Sequence, residues 1–309
     1  MILSIIQKGP VYNQLQKSIE LFDALLAKAS AEKADLVVFG ECWFCGYPAW
    51  LDYCPEASFW NHAPVKEVWS AMFDNSLELD SQSFKDIQSI IKSHGVNVVF
   101  GANEVIKKGK GNGTLFNAVM TFNRNGELLN HHRKLMPTYT EKLVHGVGDG
   151  HGLNAVDLDI GRVGGLICWE HWMPLTRQAM HDQAEDLHIA LWPFVKEMHV
   201  IASRQYAFEG RCHVVSVGQL MKTTDTPEQL KLPDHLDRSD ADQLVLKGGS
   251  CIIKPDGQFL LEPQYNETEI VSQEIDLSYG RGENMNLSVS GHYQRPDVFD
   301  LSINKKRFY

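Results

Sequence analysis

Short apolar runs alternate with amphipathic stretches along the chain. The runs at 1–7 and 35–40 are mostly apolar, which is typical of buried strands. Between them, apolar residues recur at helical spacing after Asn13, a candidate N-cap; they are Leu15, Ile19, Phe22, Leu25 and Leu26. This order predicts that the chain opens with a β-α-β unit.

The same two patterns continue to residue 275. Helical spacing predicts helices over 64–76, 83–93, 174–183 and 200–209. Runs of β-branched and other apolar residues predict strands over 96–101, 187–192, 213–217, 248–254, 259–261 and 269–275. Two hairpins are predicted as well, 118–122 with 127–131 around Asn125-Gly126, and 156–160 with 163–168 around Gly161-Arg162.

The mixture of hairpins and crossover helices favours one α/β arrangement over another. A purely parallel sheet needs a crossover for every strand pair, so the hairpins predict a layered sandwich of mixed sheets. No Pro/Gly/Ser-rich linker divides the core, which predicts one domain over 1–280 and a tail over 281–309. The polar stretch 223–243 is interpreted as a surface excursion of that domain.

Composition and charge exclude several classes of protein. Of the 309 residues, 43% are hydrophobic and 22% charged, and seven are tryptophan, as in a globular protein with a large core. A net charge of -10 argues against a nucleic-acid surface, which draws on clustered Lys and Arg. No apolar stretch has the roughly 18 residues of a membrane helix, and Met1–Ile6 lacks the basic flank of a signal peptide. Six cysteines without secretory signals favour free thiols and a cytoplasmic location.

Cys168 is the first candidate for chemistry. It ends the apolar run 163–167 and precedes residues that predict a helix, so it lies at a strand-to-helix junction. The N–H groups of a helix amino terminus favour a thiolate and can bind a developing anion, although a plain buried hydrophobe is an alternative interpretation. His171 is the nearest potential base, but we expect it to cap the turn or to face solvent.

Two further junctions resemble the one at Cys168. Glu41 follows the strand 35–40, and Lys134 follows the strand that ends near His131. Either charge by itself could simply be solvated. If the three strands share a sheet edge, however, their side chains supply a base, a cation and a nucleophile to one site.

The motifs around these junctions resemble those of the nitrilase superfamily. They are Gly40-Glu41-Cys42 with Gly46-Tyr47-Pro48, His132-Arg133-Lys134-Leu135-Met136-Pro137-Thr138, Cys168-Trp169-Glu170-His171, and Gly291-His292-Tyr293-Gln294-Arg295-Pro296. The resemblance implies an α-β-β-α sandwich with a Glu41, Lys134, Cys168 triad, and a second glutamate, Glu141, that holds the lysine or positions water. It also implies pocket walls at Trp169 and Tyr47, and a pocket altered by His145, where relatives often carry an aromatic residue.

The resemblance implies a cofactor-free, metal-free nitrilase that converts a small-molecule nitrile to its carboxylic acid and ammonia. An amidase of the same superfamily uses the same three groups and is the first alternative, and a cyanide or nitrile hydratase activity is another. The resemblance further implies a homodimer or higher homo-oligomer, with the tail over 281–309 as a candidate contact between protomers. Charge and the lack of a long apolar stretch predict no nucleic-acid or membrane partner.

A rival of a different class rests on the cysteines near Glu41. Cys42 and Cys45 have the Cys-x-x-Cys spacing of a thiol-disulfide or metal-binding module, and Cys54 is close in sequence. No second Cys pair follows, so the signal is weak. His131 and His132 are also weak metal candidates, because adjacent residues on a strand point to opposite faces.

Overall fold

Two mixed β-sheets pack face to face in the computed structural model, which describes residues 1–266 and 269–308. The strands, in chain order, are β1 (Ile2–Ile6), β2 (Leu36–Phe39), β3 (Asn97–Ile106), β4 (Thr114–Phe122), β5 (Leu128–Arg133), β6 (Val156–Leu158), β7 (Gly161–Ile167), β8 (Leu187–Leu191), β9 (His213–Val217), β10 (Leu220–Lys222), β11 (Leu244–Ile253), β12 (Phe259–Tyr265) and β13 (Ile270–Glu274). The helices are α1 (Leu15–Ala31), α2 (Trp50–Tyr53), α3 (Ala63–Asp74), α4 (Gln82–His94), α5 (Pro174–His181), α6 (Glu197–Gly210) and α7 (Tyr279–Glu283).

Each sheet has a parallel centre and antiparallel edges. In the first sheet, of order β13-β1-β2-β3-β4-β5, the neighbours β1, β2 and β3 are parallel and the remaining pairs are antiparallel. In the second, β7, β8 and β9 are parallel, while β6 and β11 run antiparallel beside them. β5 is antiparallel to β4, and β4 is antiparallel to β3. β2 and β5 therefore run in the same direction, and their carboxyl ends lie at the same edge of the first sheet.

The alternation of side chains along β2 shows where the core layers lie. Leu36 and Val38 belong to the cluster between the sheets, which includes Leu166 of β7. Val37 and Phe39 point the other way and pack with α1 and α4 in a second cluster. Burial on both faces explains why the strand is a continuous apolar run instead of an alternating one.

The helices complete the layers. α1 and α4 cover the first sheet through residues such as Phe22 and Ile87, and α5 and α6 contribute Met180 and Tyr206 to the cluster of the second sheet. The predicted α-β-β-α sandwich with mixed sheets is therefore confirmed.

Three local predictions were wrong. Asn13 does not cap α1; it has φ +51°, and the free N–H of Leu15 is instead bound by the side chain of Asn75 at 3.1 Å. Gly161-Arg162 is not the hairpin turn, because Leu158 pairs directly with Gly161 and the turn falls on residues 159–160. The loop at Asn125-Gly126 is a four-residue turn closed by Gly126 N–H to Asn123 O, with positive φ at Gly126 but not at Asn125, as a primed turn would need.

The polar segment and the tail lie outside the sheets. Residues 226–243 contain no regular element, although Leu230 is buried against Trp50 and Val144. Residues 284–308 are largely exposed, and Arg307 returns to bind Asp149 at 3.1 Å. Among the described helices, none combines the length and apolar character that crossing a bilayer requires.

Candidate active site

Glu41 follows β2 and is fully buried. Its backbone is held between neighbours: Gln219 Nε2 donates to its carbonyl, and Gly101 of β3 passes so closely that an added Cβ would lie 2.4 Å from the carbonyl oxygen of Gly40. Only glycine permits this approach of β3 to the end of β2. The carboxylate is therefore fixed at the sheet edge.

Lys134 follows β5 and reaches the same edge. Its backbone N–H donates to Asn117 O at 2.8 Å, and its Nζ lies 2.9 Å from Glu41 Oε1 and 2.8 Å from both oxygens of Glu141. Its side chain is 1% exposed. The structure thus brings together the cation and the carboxylate that the strand ends predicted to meet. The strand before Cys168, β7, belongs to the second sheet, so the three strands do not share one sheet edge and Cys168 comes from the facing sheet.

Glu141 lies in a 3₁₀ turn over Tyr139–Leu143. The backbone N–H of Thr138 donates to its Oε2 at 3.2 Å, which closes a capping box, and Tyr47 donates its hydroxyl to Oε1 at 3.1 Å. These donors and Lys134 hold the carboxylate in place against the ammonium.

Cys168 is the first residue after β7 and has φ +53°. It begins a 3₁₀ turn over Cys168–Trp172, not an α-helix, because α5 starts only at Pro174. The backbone N–H of Trp169 lowers the pKa of the thiol, so the influence expected from a helix terminus comes from this turn instead. The thiol is 3% exposed and lines a cavity.

The three charged groups of the cluster differ in how their pKa values are shifted. Burial raises the pKa of Glu41 to about 7, with Lys134 opposing the rise and Glu141 adding to it. Burial alone would raise the pKa of Glu141, but Lys134 holds it below its ordinary value. Burial would lower the pKa of Lys134, yet the negative charges around it, including that of Cys168 when ionised, keep it well above the usual range.

The side chain of Cys168 is a neutral thiol. Burial, and then the charge of Glu41, raises the pKa of Cys168 well above its ordinary value, although Lys134 and the Trp169 N–H oppose this. Near neutral pH the site therefore holds a neutral thiol, an ammonium, an ionised Glu141 and a Glu41 that is about half ionised. A carboxyl group poised in this way can both accept and return a proton.

Two residues support the site that the sequence patterns did not single out. Asn117 of β4 donates to Glu41 Oε1 at 2.7 Å, whereas Glu41 Oε2 is buried and has no hydrogen-bond partner among the described residues. Glu170 accepts the N–H groups of Ile167 at 2.7 Å and Leu135 at 2.8 Å, and so ties the segment after Lys134 to the turn of Cys168. Glu170 falls within a quoted motif, but Asn117 lies in the middle of a strand and offers no signal in the sequence.

A cavity of about 570 Å³ opens onto Cys168. Six of its fifteen wall residues are Phe, Trp or Tyr, and charged groups lie at Asp52 and Lys196; the walls are Tyr47, Asp52, Tyr53, Thr138, Tyr139, Thr140, Cys168, Trp169, Trp172, Pro193, Phe194, Lys196, Met198, His199 and Leu246. Tyr47 and Trp169, which the resemblance names as wall residues, both line it. His145 is not among the lining residues; it is buried, with Nε2 2.9 Å from Asn103 Oδ1.

The remaining candidates have other partners. His171 is buried and does not face solvent; its Nδ1 lies 2.7 Å from the carbonyl oxygen of Cys168. Cys42 and Cys45 are buried free thiols, and the sulfur of Cys45 donates to the carbonyl of Asn75. His131 and His132 point to opposite faces, toward Glu104 and Glu170 respectively. In the described part of the chain, no three His, Cys, Asp or Glu side chains form a group suited to a metal ion.

A family model described as carbon-nitrogen hydrolase matches residues 2–282. The chain belongs to the carbon-nitrogen hydrolase family. It is 31% identical over 304 residues to a prokaryotic protein called nitrilase 2, covering 98% of this chain and 92% of the relative. It is also 31% identical over 320 residues to an aliphatic nitrilase of Rhodococcus rhodochrous, covering 98% of this chain and 82% of the relative.

Solved structures show the same fold. A carbon-nitrogen hydrolase from Helicobacter pylori G27 superposes with a TM-score of 0.72 at 18% identity, covering 96% of each chain. An amidase from Nesterenkonia sp. has a TM-score of 0.63 at 18% identity, covering 91% of this chain and 92% of its own. At these identities the likeness extends to the fold, and the reaction must be argued from the site.

Proposed function

We propose that this carbon-nitrogen hydrolase is a nitrilase that converts an organic nitrile to a carboxylic acid and ammonia. The observation that carries the proposal is the buried cluster in which Lys134 Nζ donates to both Glu41 and Glu141. It lies beside the cavity that Cys168 lines. Relatives named nitrilase support the choice of a nitrile as substrate.

The first step forms a covalent bond to the enzyme. Glu41 takes the thiol proton of Cys168 as the sulfur attacks the nitrile carbon, and its unpartnered Oε2 is the free acceptor for that proton. The same proton then passes to the nitrile nitrogen, which gives a neutral thioimidate. Lys134 stabilises negative charge on that nitrogen as the C≡N bond becomes C=N.

Two water molecules complete the reaction. The first adds to the thioimidate carbon and loses a proton to a carboxylate; the resulting amine is protonated and leaves as ammonia, which produces a thioester. The second attacks the thioester, and the acid departs as Cys168 regains its proton. Glu141, held by Tyr47 and Lys134, is suited to orient the attacking water.

The test is a comparison of matched nitriles and amides with the purified protein. Ammonia and acid should form from the nitrile at a kcat/KM well above that for the corresponding amide, and Cys168→Ala should abolish both. Faster turnover of the amide would replace the proposal with an amidase, the activity named for the Nesterenkonia structure. Accumulation of amide from the nitrile would indicate a hydratase instead.

We also propose that the protein forms a homodimer. Large apolar side chains are exposed on the outer helix layer, including Leu175 of α5 and Phe208 of α6, as expected for a surface that a partner covers. Sedimentation at several protein concentrations tests this, and a monomer at all of them contradicts it. A role of the tail in assembly and the location in the cell stay predictions.

A further inference from the structure

A chain of buried polar side chains leads away from the turn that carries the nucleophile. His171 Nδ1 lies 2.7 Å from the carbonyl oxygen of Cys168, and its Nε2 lies 3.1 Å from Nε2 of His188 on β8. His188 Nδ1 lies 2.8 Å from Glu185 Oε1, and Tyr206 of α6 donates to Glu185 Oε2 at 2.6 Å. All of these side chains are buried. We call His171, His188, Glu185 and Tyr206 the buried histidine chain.

The hydrogen bonds fix the protons along this chain. A carbonyl oxygen only accepts, so His171 Nδ1 carries a proton. Burial lowers the pKa of His171 well below its ordinary value, so the ring is neutral and its Nε2 accepts. His188 Nε2 must then donate. Burial would raise the pKa of Glu185, but its contacts with His188 and Tyr206 hold it below its ordinary value, so Glu185 is an ionised acceptor for its neighbours.

The buried histidine chain thus ends at a carboxylate, Glu185, inside the protein. Taking a carboxylate out of water is costly, and apolar side chains of similar volume fill a core at least as well. The Tyr206 ring stacks on His188 with centroids 3.7 Å apart, so apolar packing was available at this place. Filling space alone does not explain this polar arrangement. Its role lies at the other end of the buried histidine chain, where His171 binds the Cys168 carbonyl.

The carbonyl of Cys168 and the N–H of Trp169 belong to one planar peptide group. In a trans peptide the two point in opposite directions, so holding the carbonyl also holds the N–H. The Trp169 N–H lies close enough to the Cys168 sulfur to lower the pKa of the thiol. Cys168 itself has φ +53°, a conformation that costs a non-glycine residue about 1 to 2 kcal/mol and requires support from its surroundings.

We propose that the buried histidine chain is a positioning device that fixes the Cys168–Trp169 peptide group, so that the Trp169 N–H faces the nucleophilic sulfur during catalysis. His171 is the member that holds the carbonyl, and His188 with Glu185 fixes the ring of His171 in the required tautomer. The expected effect on kcat rests on the proposed function, whereas the expected effect on the orientation of the peptide group does not.

The kinetic test compares two replacements of His171. His171→Asn keeps an N–H donor near the position of Nδ1, whereas His171→Leu removes the donor and retains the bulk. We expect kcat to fall about 10- to 100-fold in the leucine variant with KM changed less than about 3-fold, and to stay within about 5-fold of wild type in the asparagine variant. Equal kcat values for the two variants would overturn the proposal.

The structural test needs no substrate. Cysteine labelled with ¹³C at the carbonyl and tryptophan labelled with ¹⁵N give signals only for the peptide groups Cys42–Trp43 and Cys168–Trp169, and Cys168→Ala identifies the second. We expect His171→Leu to shift the Trp169 signal and His171→Asn to restore most of it, while the Trp43 signal stays in place. An unmoved Trp169 signal in the leucine variant contradicts the proposal even if no nitrile is turned over.

Two further variants separate positioning from general damage to the core. Tyr206→Phe removes only the hydroxyl that binds Glu185, and we expect a loss in kcat of about 3- to 10-fold with a smaller shift of the Trp169 signal. His213→Asn is the matched control, because His213 is a buried histidine on the adjacent strand β9 and lies outside the buried histidine chain. Should it shift the Trp169 signal as much as His171→Leu does, the specific role of the chain is refuted.

Discussion

Replacing Glu41 with glutamine tests the charge balance of the buried cluster. Two carboxylates, Glu41 and Glu141, share the single ammonium of Lys134, so the cluster carries an uncompensated negative charge when both are ionised. Burial opposes this charge and raises the pKa of Glu41 from 4.5 to about 7. The ionised Glu41 carboxylate therefore destabilises the folded protein at neutral and higher pH.

The size of the effect follows from the two pKa values of Glu41. Below pH 4.5 the group is protonated in both the folded and the unfolded chain. Between 4.5 and about 7 the folded chain retains a proton that the unfolded chain has lost, so stability falls as pH rises, and the loss is complete above about 7. At about 1.4 kcal/mol per pKa unit, the full loss is about 3 kcal/mol.

Glutamine has the shape of protonated glutamate but does not ionise. The free energy of unfolding of Glu41→Gln, relative to that of wild type, should rise by about 2 kcal/mol as the pH is raised from about 5.5 to 8.5. Activity should be lost. Equilibrium urea unfolding of both proteins, at one protein concentration and across this range, measures the gain. A difference between the proteins that does not change with pH would refute the reasoning.

Glu104 offers a matched control of the opposite sign. It is as buried as Glu41, but although burial would raise its pKa, Arg133 and His131 lower it to about 2. A lowered carboxyl pKa stabilises the folded state above the unfolded pKa, and this stabilisation is lost only as pH falls through the folded value. Glu104→Gln should therefore destabilise the protein by about 3 kcal/mol, nearly equally from pH 6 to 8.5.

Three further predictions concern the reaction itself. Cys168→Ala should lower turnover at least about 10⁴-fold and should form no covalent adduct visible by mass spectrometry; an adduct elsewhere would contradict the assignment. Because Glu41 must be ionised to accept the thiol proton, kcat/KM should fall about 10-fold per pH unit below about pH 7. The hydrogen bond from Asn117 lowers the pKa of Glu41, so Asn117→Leu should move this acidic fall in kcat/KM to higher pH. Lys134→Met should abolish activity and cost about 3 to 5 kcal/mol in unfolding experiments at pH 8, where two facing carboxylates lose their counterion; a stable, active variant would refute its role.

Much of the local structure could be predicted from the sequence because its cause is local. A strand buried on both faces must be apolar at every position, and a helix over a sheet must repeat its apolar residues about every 3.6 positions, so β2 and α1 are visible in the printed residues. The errors were in details that distant contacts control. The Leu15 N–H is bound by Asn75 and not by a local cap, which the pattern around Asn13 could not indicate.

The part of the candidate site that follows strand ends or lies in motifs could be predicted from the sequence. Glu41 and Lys134 follow β2 and β5, which end at the same edge of the first sheet, so the proximity of these two residues follows from topology. Cys168 follows β7 of the second sheet and joins them only because the two sheets pack together. Nothing in the sequence indicated Asn117 or the buried histidine chain. The residues of that chain join β8, α6 and the turn after β7, and their bonds exist only once the layers have packed.

The sequence by itself determined which segments are strands and helices, which charged residues follow them, and to which family the motifs are similar, because periodicity and residue type act over a few neighbouring positions. The tertiary structure alone decided the proton affinities and orientations of those groups. A pKa of about 7 for Glu41 requires burial beside both Lys134 and Glu141, and the hold on the Cys168 carbonyl requires a histidine that is itself bound by His188 of the neighbouring strand β8. Both depend on the low dielectric and close packing that form when distant segments meet.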